Sequence, residues 1–206
     1  STFIQDSAGA FTFAPRYIGQ FPRIENWFVL VDYNQDGRMD LFCATGAGVK
    51  VYQNKLDQGQ FRFELVKDPI YTLGFSGLIN LYVAAPDIPV IADVDDDGDV
   101  DVLAFEPSGH YIEFHENVSI QKSGIAGLEF EKSSTNWGNI AQHGCGDVHI
   151  ENSDLHAQAI KQINRVDHVG NSLGRTSGND LFFGQVSCSS LAFVKNEGSR
   201  QQVNYK

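Results

Sequence analysis

Two nine-residue segments of this chain follow one pattern, with an oxygen-bearing side chain at positions one, three and five, glycine at six and aspartate at nine. They are DYNQDGRMD at 32–40 and DVDDDGDVD at 93–101. In a tightly curled loop, alternate side chains point inward, and glycine permits the sharp bend. A hard cation such as Ca²⁺ takes six to eight oxygen ligands at about 2.3–2.6 Å. The sequence therefore predicts two calcium sites.

The predicted ligands occupy positions one, three, five, seven and nine, and position seven contributes its backbone carbonyl. They are Asp32, Asn34, Asp36, Arg38 and Asp40 in the first loop, and Asp93, Asp95, Asp97, Asp99 and Asp101 in the second. The set contains no sulfur or imidazole, which disfavours zinc and copper. The second loop has aspartate where the first has Asn34, and further charge at Asp96 and Asp99. Because ligand charge tunes calcium affinity, we expect the second site to bind more tightly.

The same spacing opens an EF-hand loop, but the remaining requirements of that motif are not met. An EF-hand closes with a bidentate glutamate at position twelve and has a helix on each side. Position twelve is Cys43 in the first segment and Ala104 in the second. The flanking sequences WFVLV and LFCAT are typical of strands. The EF-hand and dockerin interpretations are therefore rejected.

A repeat extends beyond the acidic loops. Asp40-Leu41-Phe42 leads through a glycine turn to VKVYQN, and Asp101-Val102-Leu103 leads to YIEFHEN. A third copy starts at Asp180 and ends in LAFVKN, and the Asp-to-Asn spacings are 14, 16 and 16. Each unit is predicted to contain four short strands, and no segment shows a convincing helical period. The segment 155–166 is equally compatible with a short helix or a strand.

Four-stranded units repeated along a chain are typical of β-propeller blades. The predicted fold is all-β, a partial β-propeller of about three four-stranded blades with calcium loops between strands. Because a closed ring needs roughly four to eight blades, we expect the chain to be a mature or excised portion of something longer, with blades missing. The predicted divisions are the end of a preceding blade at 1–21, blades at 22–70 and 71–133, an insertion at 134–157 and a degenerate blade at 158–206. The sequence before Asp180 lacks alternating carboxylates, which predicts no metal there.

The formal charge of −11 and the pI of about 4.8 restrict the possible partners. An acidic chain is repelled by nucleic acid and by anionic membrane surfaces. No stretch approaches the ~20 apolar residues that membrane insertion requires. The expected partner is therefore an unidentified protein or glycan, together with further blades or chains of a larger assembly.

The acidic loop between strands, followed by Asp-Leu-Phe and a VYQN strand, resembles the FG-GAP/VCBS repeats of integrin-α-like propellers. The resemblance is strongest at 27–54 and 86–117. It implies calcium at the ten positions named above, and a secreted or cell-surface protein of the kind found in Bacteroidetes-type bacteria, often exported by type IX secretion. The implied role is adhesion or recognition. The alternative is part of a calcium-dependent polysaccharide lyase or sugar dehydratase, although no catalytic constellation is visible. Basic residues near the loops are His110, His115 and Lys50.

Other candidates carry weaker signals. His143, Cys145, Asp147 and His149 alternate and would share one face of a strand, although they lack the usual zinc spacing. Cys145 is also able to pair with Cys188, and sequence alone leaves their redox state open. Cys43 lies in an apolar run and is predicted to be buried. Trp27 and Trp137 are predicted core residues, with sugar stacking as the alternative.

Overall fold

The computed structural model describes residues 1–56, 62–144 and 147–150, together with the backbone of three strands farther along the chain. The chain opens with a small antiparallel hairpin whose side chains are all exposed, and a 3₁₀ helix at Pro15–Gln20 follows it. The hairpin strands are β1 (Phe3–Gln5) and β2 (Phe11–Phe13).

The first acidic loop lies in a four-stranded antiparallel sheet with the order β3-β4-β5-β6. The loop joins β3 to β4, and a glycine turn joins β4 to β5. This is the predicted order of strand, acidic loop, strand, turn, strand, loop and strand. The strands are β3 (Phe28–Val31), β4 (Asp40–Thr45), β5 (Gly48–Asn54) and β6 (Phe63–Lys67).

The second acidic loop lies in a six-stranded sheet with the order β8-β7-β12-β11-β10-β9. Its neighbours are antiparallel except for β7 and β12, which pair in parallel with Thr72 opposite Phe130. That pairing joins the hairpin β7–β8 to the meander β9–β12. The strands are β7 (Tyr71–Gly74), β8 (Gly77–Asn80), β9 (Val90–Ala92), β10 (Asp101–Phe105), β11 (Ile112–Asn117) and β12 (Phe130–Ser134).

A short helix, α1 (Ser119–Ser123), interrupts the connection between β11 and β12. It ends at Gly124, whose φ of 73° is accessible to glycine at little cost and whose N–H donates to the Ile120 carbonyl. Nothing in the sequence predicts this helix, because none of its segments shows a convincing helical period. One turn and a half is too short to produce a hydrophobic period that sequence inspection detects.

The remaining elements follow the second sheet. A 3₁₀ turn at Trp137–Asn139 leads into the hairpin β13 (Ile140–Gly144) and β14 (Asp147–Ile150). The third repeat also forms antiparallel strands, as the repeat predicted. These are β15 (His168–Gly170), β16 (Leu181–Gln185) and β17 (Ser190–Val194). The segment 155–166 and the cysteines Cys145 and Cys188 lie outside the described residues.

Alternation along β10 gives the molecule two apolar clusters. Val102 and Ala104 face the first sheet, where they pack in a cluster with Phe42, Val51 and other buried residues. Leu103 and Phe105 face the other way, into a cluster that contains Trp137. Because β10 is buried on both faces, its sequence reads as a continuous apolar run rather than an alternation.

The structure confirms the all-β fold. Strands dominate the described residues, and within them no helix has the length and apolar character needed to cross a bilayer. Cys43 is fully buried as a free thiol, and Trp27 and Trp137 are both core residues, as predicted. The division into blades at the stated bounds stays a prediction.

Candidate metal centre

The position-nine aspartates make the same contacts in both loops. Asp40 accepts hydrogen bonds from the N–H groups of Tyr33 and Asn54, at 3.4 and 2.7 Å. Asp101 accepts from Val94 and Asn117, at 2.9 and 2.8 Å. Each carboxylate is fully buried and joins the start of its loop to the end of a strand two elements later. This is the physical reason for the Asp-to-Asn spacing in the sequence.

The two loops also share the contacts of their asparagine side chains and the conformation of their backbone. Asn54 and Asn117 each donate from Nδ2 to the carbonyl of the residue before the aspartate, at 3.1 Å in both loops. Position four has a positive φ in both loops, 59° at Gln35 and 65° at Asp96. Position six is glycine in both, with φ of 81° and 98°. Two left-handed residues per loop curl the backbone, and at position six glycine avoids the steric cost.

In the first loop, side chains contact backbone and each other around Asp36. The Asp32 carboxylate accepts from the N–H groups of Asp36 and Gly37, at 3.1 and 2.8 Å. The guanidinium of Arg38 lies 2.5 Å from Asp36 Oδ2 and also donates from Nε to the Asn54 carbonyl. Gln53 Nε2 approaches the same Asp36 oxygen at 3.4 Å. The first loop thus contains a positively charged side chain, Arg38, beside one of its predicted calcium ligands.

The second loop brings carboxylates together instead. One oxygen from each of Asp93, Asp95 and Asp101 lies within 4.8 Å of the others. Asp95 belongs to a second such group, with Asp97 and Glu116. In the described residues no equivalent trio of acids forms in the first loop, where position three is Asn34. These acidic groups can hold a metal ion, and all their donors are oxygen, as calcium prefers.

Glu116 was not predicted as a site residue, because it lies on β11, fifteen residues beyond the loop. Its sequence signal is its place immediately before Asn117, the residue that Asp101 fixes. The same position in the first repeat is Gln53, immediately before Asn54. Ser133 donates a hydrogen bond to the Glu116 carboxylate. The position-seven side chains were also not anticipated, since Arg38 and Asp99 were expected to act through their carbonyls.

The Asp99 side chain contacts the helix that follows β11. Its Oδ2 accepts from the N–H of Ile120 in α1, at 3.1 Å, and the residue is 1% exposed. Gln121 of the same helix donates to Asp97. The helix that sequence inspection missed therefore contacts two aspartates of the second loop.

Burial raises the pKa of Asp40 in the first loop as it does for aspartates of the second, and the loops differ in that the first also contains an aspartate whose pKa is lowered. Burial raises the pKa of Asp95 and of Asp99 to about 6, and neighbouring aspartates add to the rise. Burial raises the pKa of Asp101 to about 8, against two backbone hydrogen bonds that lower it. Burial by itself would raise the pKa of Asp36. The N–H and the guanidinium of Arg38 outweigh that effect, so the pKa of Asp36 is lowered. The second loop therefore carries unrelieved repulsion that a cation would remove.

The two loops touch. Gln35 Nε2 donates to the carbonyl of Gly98 at 2.6 Å, across 63 residues of sequence. Position four of the first loop thus contacts position six of the second. The two candidate centres lie at neighbouring points of the molecule rather than at opposite ends.

The basic residues considered for catalysis do not lie among the loop carboxylates. His115 is fully buried, 3.4 Å from Glu113 and 3.3 Å from the Thr72 hydroxyl, and burial lowers its pKa. His110 Nδ1 lies 2.6 Å from the Ser108 hydroxyl in a turn. Lys50 lies over the ring of Tyr52. Each has a local structural partner.

The site and the sheets define a class, an all-β repeat module of β-propeller-like type with acidic loops between strands. Comparison with protein families gives the same answer, because a model described as an FG-GAP-like repeat matches residues 32–104. The match includes both acidic loops and the strands between them. Residues 32–104 therefore form a segment of FG-GAP-like repeat type. Comparison with curated proteins and with solved structures gave no match.

The match at 32–104 carries general expectations. FG-GAP repeats often bind calcium, occur in extracellular proteins, and are generally non-enzymatic. The assignment of individual ligands, the Bacteroidetes-type context and the secretion route stay predictions.

Proposed function

We propose that the chain is a calcium-binding module of a secreted or cell-surface protein, and that it serves adhesion or recognition of a protein or glycan. The observation that carries this proposal is the convergence of Asp93, Asp95 and Asp101 within 4.8 Å in a chain of FG-GAP type. The ten predicted ligands would hold two calcium ions. Their charge would change the formal net charge from −11 to −7.

The residues present fit such an ion. The donors are carboxylate, amide and carbonyl oxygens. A buried oxygen of Asp93 has no hydrogen-bond partner, and the raised pKa values of Asp95 and Asp101 reflect the cost of burying charge without a counterion. A bound calcium ion would neutralise the aspartates of the second loop and would link the end of β9 to the start of β10. We expect this role to be structural, because metal binding contributes directly to folding free energy.

Recognition is supported by the exposed surface rather than by the loops. The hairpin β1–β2 exposes Phe3, Phe11 and Phe13, each more than half accessible, and the tip residue Phe75 of β7–β8 is 98% exposed. Exposed aromatic groups on rigid strands favour contact with proteins or sugars. The acidic surface is unsuited to nucleic acid or anionic lipid.

The alternative of a calcium-dependent lyase or dehydratase requires a base beside the metal in a cleft. His110, His115 and Lys50 have the partners described above, at positions outside the acidic loops. No observation favours this alternative over recognition.

The test is calorimetric titration of calcium into chelator-stripped protein, with melting curves before and after. We expect two sites and a clear rise in melting temperature. Asp95→Asn should weaken the tighter site, because it gives the second loop the amide that the first loop has at Asn34. Asp96→Asn removes the same charge from an exposed position in the same loop, so it should retain binding. No calcium binding, or equal loss in both variants, would refute the proposal.

A further inference from the structure

A second kind of metal-binding chemistry lies on the hairpin β13–β14, away from the acidic loops. Val148 and Ile150 of β14 pack against the apolar cluster that contains Trp137. Asp147 and His149 alternate with them and face solvent. The hairpin is thus anchored by one face and presents polar side chains on the other.

A bulge brings a second histidine to this outer face. Ala141 pairs with His149 and Gln142 with Val148, but the next pair is Gly144 with Asp147, which leaves His143 as the extra residue. The rings of His143 and His149 lie with centroids 5.5 Å apart and an interplanar angle of 43°. The strand pairing therefore places two imidazoles side by side.

Asp147 orients one of these rings. Its Oδ1 lies 2.6 Å from Nε2 of His149, which is hydrogen-bond distance, and both side chains are 57% exposed. A ring that donates from Nε2 to a carboxylate keeps the Nδ1 lone pair for a metal. Metal-binding histidines commonly have such a carboxylate on the other ring nitrogen.

We propose that His143 and His149 bind a borderline divalent transition metal, with Zn²⁺ as the reference ion, and that Asp147 is a positioning residue that holds His149. Imidazole suits zinc, copper and nickel and is not a calcium ligand, so this site and the acidic loops select different ions. Water completes the coordination of a site on an exposed hairpin. The binding is independent of the proposed calcium role.

The experiment is calorimetric titration of Zn²⁺ into the full chain, free of any histidine tag and saturated with calcium so that the acidic loops are occupied. We expect one zinc site. His143→Ala and His149→Ala should each weaken it at least about tenfold, and Asp147→Asn by about tenfold, the usual effect of an outer carboxylate. His110→Ala, a histidine in another turn, is the matched control and should bind zinc as the parent does.

Two further measurements decide the roles. Imidazole ¹⁵N spectra of the zinc-bound chain should show metal at Nδ1 and a proton at Nε2 of His149, and Asp147→Asn should alter the Nε2 signal specifically. Cys145→Ser should leave zinc affinity unchanged. Absence of zinc binding, parent-like zinc affinity in either the His143 or the His149 variant, or loss of binding in Cys145→Ser would each overturn the assignment.

Discussion

The two acidic loops share one backbone conformation, but they differ in the charge of the side chains around it. Both are curled by left-handed residues at positions four and six, and both are closed by a buried aspartate that accepts two N–H groups. The first loop places the Arg38 guanidinium on Asp36, whereas the second has Asp99 and Glu116 at the equivalent positions of Arg38 and Gln53. The loop framework is therefore set by hydrogen bonds, and the need for a cation is set by only a few side chains around it.

The largest difference should appear as a pH dependence of the metal-free protein. A carboxyl whose pKa is higher in the folded state contributes stability that is full below the unfolded value of 3.8 and is lost as pH rises through the folded value. For Asp95 and Asp99 that loss ends near pH 6, and for Asp101 near pH 8. Melting temperature should fall by on the order of 10 °C between mildly acidic and mildly basic pH.

Melting curves recorded in chelator at a series of pH values test this pH dependence. Saturating calcium should remove most of the fall in melting temperature. Asp95→Asn should flatten the profile. Asp36→Asn is the control from the first loop, because the lowered pKa of Asp36 acts in the opposite sense, giving stability above about 3.8 that is lost on acidification. A profile that is unaltered by Asp95→Asn would contradict the contrast between the loops.

Replacing the buried position-nine aspartate should lower the unfolding free energy equally in the two loops. Asp40→Ala and Asp101→Ala each leave two N–H groups without their acceptor, and we expect a loss of about 3 kcal/mol of unfolding free energy in either loop. Urea denaturation in chelator measures this without a contribution from bound calcium. The exposed Asp96→Asn, which keeps a residue type that tolerates the φ of 65° at this position, should change the unfolding free energy little. Losses that differ greatly between Asp40 and Asp101 would show that the two frameworks are not equivalent.

Removing the internal cation should strengthen calcium binding in the first loop. Arg38→Gln keeps the position-seven carbonyl but frees Asp36, and we expect the first site to bind calcium up to about tenfold more tightly. Arg38→Lys retains a positive charge and should change affinity less. Calcium calorimetry in an Asp95→Ala background, which lacks the position-three oxygen of the second loop, isolates the first site. Unchanged affinity in Arg38→Gln would mean that the guanidinium does not compete with the ion.

The smallest expected effect concerns the residue before the asparagine. Glu116→Gln should weaken the second site by about threefold, and Gln53→Glu should strengthen the first by a similar factor, because ligand charge tunes affinity. The reciprocal pair is its own control, measured by the same calcium titration. Changes of the same sign in both variants would exclude a role for this position in binding.

The sequence predicted the acidic loops, the strands on either side of them and the all-β fold, because these depend on local patterns of residues. Sequence inspection missed Glu116, because finding an acidic side chain on a distant strand requires knowledge of which strand passes the loop. The carbonyls of Arg38 and Asp99 were predicted, but their side-chain contacts depend on Asn54 and on α1, which the pattern does not encode. The parallel pairing of β7 with β12 was likewise beyond reach, because no local feature distinguishes it from a hairpin.

That parallel pairing also bears on the order in which the chain folds. The first sheet uses only neighbouring strands and is complete once residues 28–67 are available. Strand β7 instead pairs with β12, so Thr72 finds its partner Phe130 only after fifty-eight further residues. Closing such a distance is slow compared with forming hairpins. Until then β7–β8 is a hairpin with an open edge and exposed Leu73, Phe75 and Leu78, and such an edge is prone to pair with other chains.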